Sequence, residues 1–490
     1  MKTIFYPTID VFIYQLTEGL GDDPQEEGEA NILAFVNLFP SSEQEKIREA
    51  ITEQKSLPAK SGGFWQLLSR DSHYLDLPYS HIPKSPQVTE DKREDSKNLE
   101  QLEDRFYNLQ GYYYPMISPD TLGLLFDCSV YRFDKAQPIE SFQRLKSLVP
   151  QSESALGKSW ILSGYSQASN QLGELAKEIY KEFRKSEDVK GGELRLEWEW
   201  QNHLDGKFLG HNIFWIPPYL IADSIPGNSG VLIVIYNPET IPDPVIQRES
   251  SNLNRDWMNL FGFQNKILWA YQQANDIKDQ LYEQFIEIRR TILEIKSTEQ
   301  NKTEIDIENL QLIFKSRVKI LSDYAINLCY LEVQIYTIET NLHNYELCLN
   351  NIENKSQIIG ETSLSCFKDF IDVVNHQYKK QVEKDYASLK PGMTALENLL
   401  DTIKNIVELE KGERDRNIEN LIGATGIGLG TASAAASSIA NFIGEIRSQP
   451  DGTQPGGWEK FSFAFFFSIG IGVLFFVASW KIIKILRSRP

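Results

Sequence analysis

Polar and small side chains alternate along an uncharged stretch, Asn420–Gly444, in a pattern suited to ion passage rather than to covalent chemistry. Hydroxyl and amide side chains that could line an aqueous path recur along it: Thr425, Thr431, Ser437 and Asn441. Small residues at every fourth position let helices pack backbone to backbone in lipid, and these are Gly426, Gly430, Ala434 and Ser438. The stretch is therefore interpreted as a weakly hydrophobic membrane helix. A packing helix without a pore and a helix that never inserts are the alternatives.

Carboxylates flank this stretch on both sides in the sequence and could attract cations to its two ends. The upstream group is Glu413, Asp415 and Glu419, and the downstream group is Glu445, Asp451 and Glu459. Ordinary solvated surface charge explains both groups equally well.

Motifs of covalent chemistry are missing from the sequence. It contains no phosphate-binding loop, no serine-hydrolase elbow and no zinc-peptidase motif. The cysteines lack metal-ligand or disulfide-framework spacing and indicate free thiols in a reducing compartment; they are Cys128, Cys329, Cys348 and Cys366. We predict that the chain is not an enzyme and holds no cofactor, with Mg²⁺ or another divalent cation as a candidate substrate.

The most apolar segment of the chain is Phe461–Trp480, twenty uncharged residues directly followed by the basic segment 481–490. At ~1.5 Å per residue this length crosses a hydrocarbon core of ~30 Å. Basic residues favour the cytoplasmic side of a membrane. With a single span, either the basic tail or the large N-terminal body would lie outside the cytoplasm. Two spans remove the conflict, with 420–444 as the first and the turn-rich 445–460 as the outer loop. The sequence thus predicts an integral protein of the plasma or inner membrane with both termini cytoplasmic.

The first half of the chain mixes strand and helix patterns, which predicts an α/β cytosolic domain over residues 1–250. The charged segment 84–101 lacks apolar residues and is predicted to be a mobile loop. The predicted strands are Ile9–Leu16, Gly123–Tyr131, Trp160–Gly164, Leu194–Trp200, Phe208–Ile216 and Val231–Tyr236, and the predicted helices are Pro138–Leu148 and Ser169–Phe183.

The pattern changes near Asn254, where apolar residues begin to recur every three or four positions. This spacing predicts long helices with one buried face, arranged as hairpins or coiled coils over 254–390. A stalk helix beginning at Pro391-Gly392 is predicted over 391–419, leading directly into the first span.

The 490-residue chain has a formal net charge of −18, and residues 1–444 alone carry −21. So acidic a body argues against nucleic acid as a partner and mildly favours cations.

The order of an α/β domain, long antiparallel helices, a stalk, two spans joined by a short loop and a basic tail resembles the CorA-like family of divalent metal ion transporters. The resemblance covers roughly Asn254–Pro490 and includes Pro450 and Trp458 of the outer loop. It implies a homopentamer in membrane lipid whose first spans line a cation path. The family's Gly-Met-Asn signature is absent, and the corresponding Ala440–Gly444 offers only Asn441 as an amide.

Two functions from different classes therefore follow from the sequence. One is an oligomeric transporter or channel for cations. The other is a non-transporting membrane-anchored sensor, tether or effector, with a ligand-binding α/β domain and a glycine-zipper hairpin.

Overall fold

The computed structural model describes residues 2–17, 24–56, 75–76, 109–118, 120–130, 135–150, 154–167, 171–185, 192–221, 229–237, 243–301 and 307–409. The chain divides into two compact units. Unit 1 comprises Met1–Trp269 and Thr340–Val374, and unit 2 comprises Ala270–Glu339 and Asn375–Pro490. The predicted loop 84–101 and everything from residue 410 onward lie outside the described residues.

Unit 1 is built on a nine-stranded sheet. Its strands are β1 (Thr3–Leu16), β2 (Leu75–Asp76), β3 (Leu109–Ile117), β4 (Thr121–Val130), β5 (Gln137–Pro138), β6 (Gly157–Tyr165), β7 (Leu204–Phe208), β8 (His211–Ile216) and β9 (Ser229–Tyr236). The strand order is β2-β3-β4-β1-β6-β9-β8-β7, and β5 pairs with the start of β1. Only β6 and β9 run parallel; the other described pairs are antiparallel. An α/β sheet domain followed by long helices is therefore confirmed.

Helices account for most of the remaining described chain. They are α1 (Pro24–Val36), α2 (Ser41–Ser56), α3 (Ser141–Ser147), α4 (Leu172–Arg184), α5 (Gly192–Gln201), α6 (Pro218–Ile221), α7 (Asp243–Asn301), α8 (Ile307–Gln357), α9 (Ser365–Val373) and α10 (Lys379–Leu409). A single π-helical turn, Val374–Tyr378, joins α9 to α10. Helices α7 and α8 have 59 and 51 residues, in agreement with the predicted long helices.

The two faces of the sheet bury different sets of side chains, because successive residues of a strand point to opposite sides. On one face Ile9, Val11 and Ile13 of β1 join a hydrophobic cluster with residues of helices α1 to α5. On the other face the start of α7 packs against Phe12 and Tyr14. The ring of Phe12 lies 5.3 Å from that of Phe261, and the Tyr14 hydroxyl donates to the Met258 carbonyl at 2.8 Å.

Unit 2 buries the apolar stripes that the helical spacing predicted. Buried members come from all three helices, among them Ile277, Leu281 and Ile288 of α7, Leu328, Leu331 and Ile335 of α8, and Val382, Leu389 and Leu396 of α10. The rings of Tyr271 and Tyr378 stack at 4.2 Å. Helical periodicity alone was thus enough to identify this core.

The prediction of a strand over Leu194–Trp200 was wrong, since these residues lie within helix α5. The alternation of apolar and charged residues suggested a strand. In the helix, however, Leu194 is 85% exposed and Trp198 is 43% exposed, whereas the adjacent Glu199 and Trp200 are both buried. Tertiary contacts of Glu199 and Trp200, rather than the alternation, therefore decide the local structure.

The predicted strand Phe208–Ile216 is in fact a hairpin, because the chain turns between β7 and β8. Leu209 and Gly210 both have positive φ, 53° and 80°, which is the geometry of a tight two-residue turn. The amide of Leu209 donates to the Thr362 hydroxyl at 3.1 Å. The turn was not predicted because Leu209, its first residue, is of a type that rarely adopts positive φ.

The predicted helix start at Pro391-Gly392 was also wrong, because both residues lie inside helix α10. Proline removes one helical hydrogen bond and normally bends or ends a helix. Here the hydroxyl of Tyr324 donates to the Leu389 carbonyl at 2.5 Å beside the proline. The portion of the predicted stalk from residue 410 to 419 lies beyond the described chain.

Gly392 permits this close approach, and its replacement by alanine is expected to destabilise unit 2. A Cβ atom at residue 392 would lie 2.1 Å from the Tyr324 hydroxyl oxygen. We expect Gly392→Ala to lower the free energy of unfolding by about 1–3 kcal/mol, as overpacked cores do. Thermal unfolding of the full chain tests this, with Ser388→Ala on the exposed side of the same helix as control. Equal stability of both variants would contradict the prediction.

Candidate functional site

The residues singled out from the sequence fall outside the described part of the chain. This applies to the four pore-lining candidates, the four helix-packing residues and the six carboxylates from Glu413 to Glu459. Among the described residues, no helix is both long and apolar enough to cross a lipid bilayer. The same residues contain no cluster of three histidine, cysteine or acidic side chains suited to holding a metal ion.

Within unit 1, an unexpected polar site lies near the middle of the sheet. Asp10 of β1 stands directly opposite Asp127 of β4, and Tyr112 of β3 stands directly opposite Asp127. On the other side of β1, Ile161 of β6 is the partner of Asp10. Alternation along β1 places Asp10 on the same face as Phe12, which is the face that α7 covers.

Asp10 and Asp127 form what we call the carboxyl pair. Their carboxyl groups are hydrogen-bonded to each other, and both side chains are half-buried. Burial raises the pKa of Asp10 from 3.8 to about 6, although the hydrogen bond from Asp127 partly offsets this. Burial also raises the pKa of Asp127 well above its usual range, and the Asp10 charge adds to the rise. The arrangement therefore favours a pair that retains a shared proton.

Helix α7 closes over the carboxyl pair with neutral polar side chains. Asn254 donates its amide to the Tyr112 hydroxyl at 2.7 Å, and the hydroxyls of Ser250 and Tyr236 lie 3.0 Å apart. The pKa of Tyr112 is raised by burial and by the charges of Asp127 and Asp10. The pKa of Tyr236 is raised mainly by burial, with a contribution from Asp10. The hydroxyl groups of Tyr112 and Tyr236 therefore link the sheet around the carboxyl pair to Asn254 and Ser250 of α7.

A bulge in β1 brings a further tyrosine to this region. The register of β1 and β6 shifts between Phe5 and Thr8, and Tyr6 within the shift has a left-handed φ of 49°. Such a conformation costs a non-glycine residue of order 1–3 kcal/mol and often marks functional sites. The Tyr6 ring lies 6.4 Å from Tyr165, whose ring is 5.3 Å from that of Tyr236.

A buried histidine, His211, contacts the last ring of the series Tyr6, Tyr165 and Tyr236. The ring of His211 is 5.3 Å from Tyr236, and its Nδ1 accepts a hydrogen bond from the Asn237 amide at 3.0 Å. Burial lowers the pKa of His211 to about 4, so the ring is neutral at physiological pH. The proton then resides on Nε2, which has no hydrogen-bond partner within the described chain.

The sequence did contain a signal for the carboxyl pair. Asp10 is the only charged residue in the mostly apolar segment Ile9–Leu16. Asp127 is likewise the only charged residue in the mostly apolar segment Leu122–Val130. A lone carboxylate in a strand buried on both faces is costly unless it is neutralised or paired. What the sequence alone could not provide is the register that places the two residues opposite each other.

The chain matches no protein-family model, no curated protein and no solved structure.

Proposed function

We propose that this chain is a CorA-like membrane protein that assembles as a homo-oligomer and conducts cations. The observation that carries the proposal is the order of elements along the chain. A sheet domain is followed by helices of 59 and 51 residues and then by α10, which continues to Leu409. The next residues in the sequence are the acidic group Glu413, Asp415 and Glu419, and then the uncharged stretch 420–444.

In this proposal the two apolar stretches form a hairpin across the plasma or inner membrane. Residues 420–444 provide the first span, with Thr425, Thr431, Ser437 and Asn441 toward the path. Residues 461–480 provide the more lipophilic second span, and the basic segment 481–490 stays in the cytoplasm with the N-terminal unit. Small residues such as Gly430 allow first spans of neighbouring subunits to approach closely.

Cations suit this proposal better than anions. The 444 residues before the outer loop carry a net charge of −21, which raises the local concentration of cations near the cytosolic mouth. Glu445, Asp451 and Glu459 would act similarly on the outer side. Oxygen-bearing side chains such as Asn441 are the ligand type that hydrated Mg²⁺ accepts.

Flux through reconstituted liposomes tests the proposal. We expect uptake of at least one of Mg²⁺, Ni²⁺, Co²⁺ and K⁺ above that of empty liposomes. Asn441→Ala should change the rate or the ion preference, because it removes the only amide near the end of the first span. Gly430→Leu should reduce flux, because its bulk opposes close packing and narrows the path. Phe465→Leu in the second span serves as the control, with flux near that of the wild type.

The proposal fails if the wild-type protein, properly inserted, gives no flux above empty liposomes for any of the four cations. It also fails if the Asn441 and Gly430 variants both match the control variant. In the second case the conducting segment lies elsewhere.

The second candidate is a non-transporting sensor, tether or effector anchored by the same hairpin. The half-buried carboxyl pair in unit 1 favours it, since perturbed titratable groups on a sheet domain are a common mark of a binding or sensing site. Images of the purified particle distinguish the two candidates. A continuous axial path supports transport, whereas first spans packed without a lumen support the sensor or tether.

A further inference from the structure

We propose that the carboxyl pair is a proton-controlled latch, which holds the first turns of α7 on the sheet while the pair keeps its shared proton. Loss of that proton loosens these turns. The inference concerns regulation by pH within unit 1 and does not depend on whether the chain conducts ions.

The direct opposition of the two carboxyl groups favours a shared proton. An ionised carboxylate only accepts hydrogen bonds, so two hydrogen-bonded carboxyl groups must have one proton between them. Directly opposite residues on antiparallel strands have Cβ atoms about 4.5–5.5 Å apart. When the shared proton leaves, Asp10 and Asp127 become two like charges at this separation in a half-buried site.

The groups that face the pair do not supply a compensating positive charge. They are Tyr6 of β1, Tyr112 of β3, Tyr236 of β9, and Ser250 and Asn254 of α7. Cys128 of β4 lies on the opposite face of the sheet, in the hydrophobic cluster. Burial raises the pKa of Cys128 to about 12, so the thiol stays neutral. For both carboxyl groups, the pKa is set by burial and by the partner carboxyl, and no described cationic side chain lowers it.

Charged side chains on the neighbouring turns of α7 bind elsewhere. Arg248 pairs with Glu249 at 2.8 Å, and Asp256 pairs with Lys355 at 2.9 Å. Arg255 is half-buried beside Asn254 but does not contribute to the pKa of either carboxyl group. An ionised pair must therefore be solvated by hydroxyl groups or by incoming water.

Two of the hydroxyl groups that are coupled electrostatically to the pair are those that hold α7. Two carboxylates need hydrogen-bond donors, and the hydroxyls of Tyr112 and Tyr236 are donors whose charge coupling to the pair is already visible in their raised pKa values. The Tyr112 hydroxyl accepts from Asn254, and the Tyr236 hydroxyl shares a hydrogen bond with Ser250, so a shift of these oxygens toward the carboxylates lengthens both bonds to α7. The same event thus solvates the pair and weakens two anchors of α7.

Hydrogen–deuterium exchange of the full chain in detergent micelles tests the latch. The exchange rates are corrected for the pH dependence of chemical exchange. We expect residues 244–262 and 109–130 of the wild type to exchange at least tenfold faster at pH 8 than at pH 5, because each pKa unit corresponds to a factor of ten. Asp127→Asn should remove this difference, because an ionised Asp10 then faces a neutral amide instead of a second negative charge.

The matched control is Asp120→Asn, at the turn between β3 and β4. Asp120 pairs with Lys266 at 2.7 Å, and this pairing holds its pKa below the usual range. The control should therefore keep the wild-type difference between pH 5 and pH 8. If Asp127→Asn does not fold, Asp10→Asn provides the same test. A wild type with no pH dependence, or an Asp10 or Asp127 variant that retains it, would overturn the inference.

Discussion

Replacing Glu199 by glutamine is expected to lower the free energy of unfolding of unit 1 by about 3–5 kcal/mol, the cost of leaving a buried charge unpaired. Glu199 of α5 and Arg184 of α4 are both fully buried and lie 3.0 Å apart. Arginine cannot lose its proton in a protein, so it cannot escape the loss of its counterion by becoming neutral. The change should appear as a lower transition temperature in scanning calorimetry of the full chain.

The reverse substitution, Arg184→Met, should cost less. Glu199 retains a second cationic partner, because the Nε of Arg195 donates to it at 3.1 Å, and the Tyr180 hydroxyl donates to it at 2.7 Å. Replacing both members together, as Arg184→Met with Glu199→Leu, should recover most of the stability that Glu199→Gln loses, because neither fully buried charge remains.

Lys181→Met provides the control on the same two helices. Lys181 bonds Glu197 at 2.5 Å, but both side chains retain contact with solvent, and exposed pairs contribute at most about 1 kcal/mol. Comparable losses from Lys181→Met and Glu199→Gln would contradict the larger cost expected for breaking the buried pair.

Asp10→Asn should have the opposite effect and stabilise unit 1 above neutral pH. The pKa of Asp10 is about 6 in the folded chain and 3.8 ordinarily, so the unfolded chain loses its proton first as the pH rises. This destabilises the folded state between pH 3.8 and about 6, and the full effect remains at higher pH. A displacement of this size corresponds to about 3 kcal/mol. Unfolding measured between pH 4 and pH 8 should show the variant gaining stability over the wild type as the pH rises.

Asp120→Asn should change the stability at high pH in the opposite direction. Because Lys266 lowers the pKa of Asp120, ionised Asp120 stabilises the folded state above its ordinary pKa, and this contribution is lost as the pH falls. The asparagine variant should therefore be less stable than the wild type at pH 8. A gain in stability at pH 8 for both variants would indicate a general effect of reduced negative charge.

The long helices could be predicted from the sequence because their buried residues recur with helical spacing over many turns. Ile277, Leu281 and Leu331 belong to stripes long enough to exclude other structures. Helices α1 and α2 and strand β3 were not predicted, since they are short or lack a clean period. Pro391 misled the prediction because a proline normally begins or ends a helix, whereas α10 continues through it.

The carboxyl pair could not be predicted because it depends on pairing between residues more than a hundred positions apart. Each aspartate alone predicts only a cost of burial. Strand register, which the sequence does not provide for β1 and β4, converts two unfavourable residues into one site. The function proposed from the sequence depends instead on residues 410–490, which lie outside the described part of the chain.

The central position of β1 also has a consequence for biosynthesis. β1 precedes all other described strands in the chain, yet it pairs with β4 and β6, which end at Val130 and Tyr165. Pairing over such distances is slow because long loops must close first. Until synthesis has passed Tyr165, the apolar strand Thr3–Leu16 has no complete set of neighbours. The nascent chain should therefore depend on chaperones over this interval, well before its most hydrophobic segment, residues 461–480, is made.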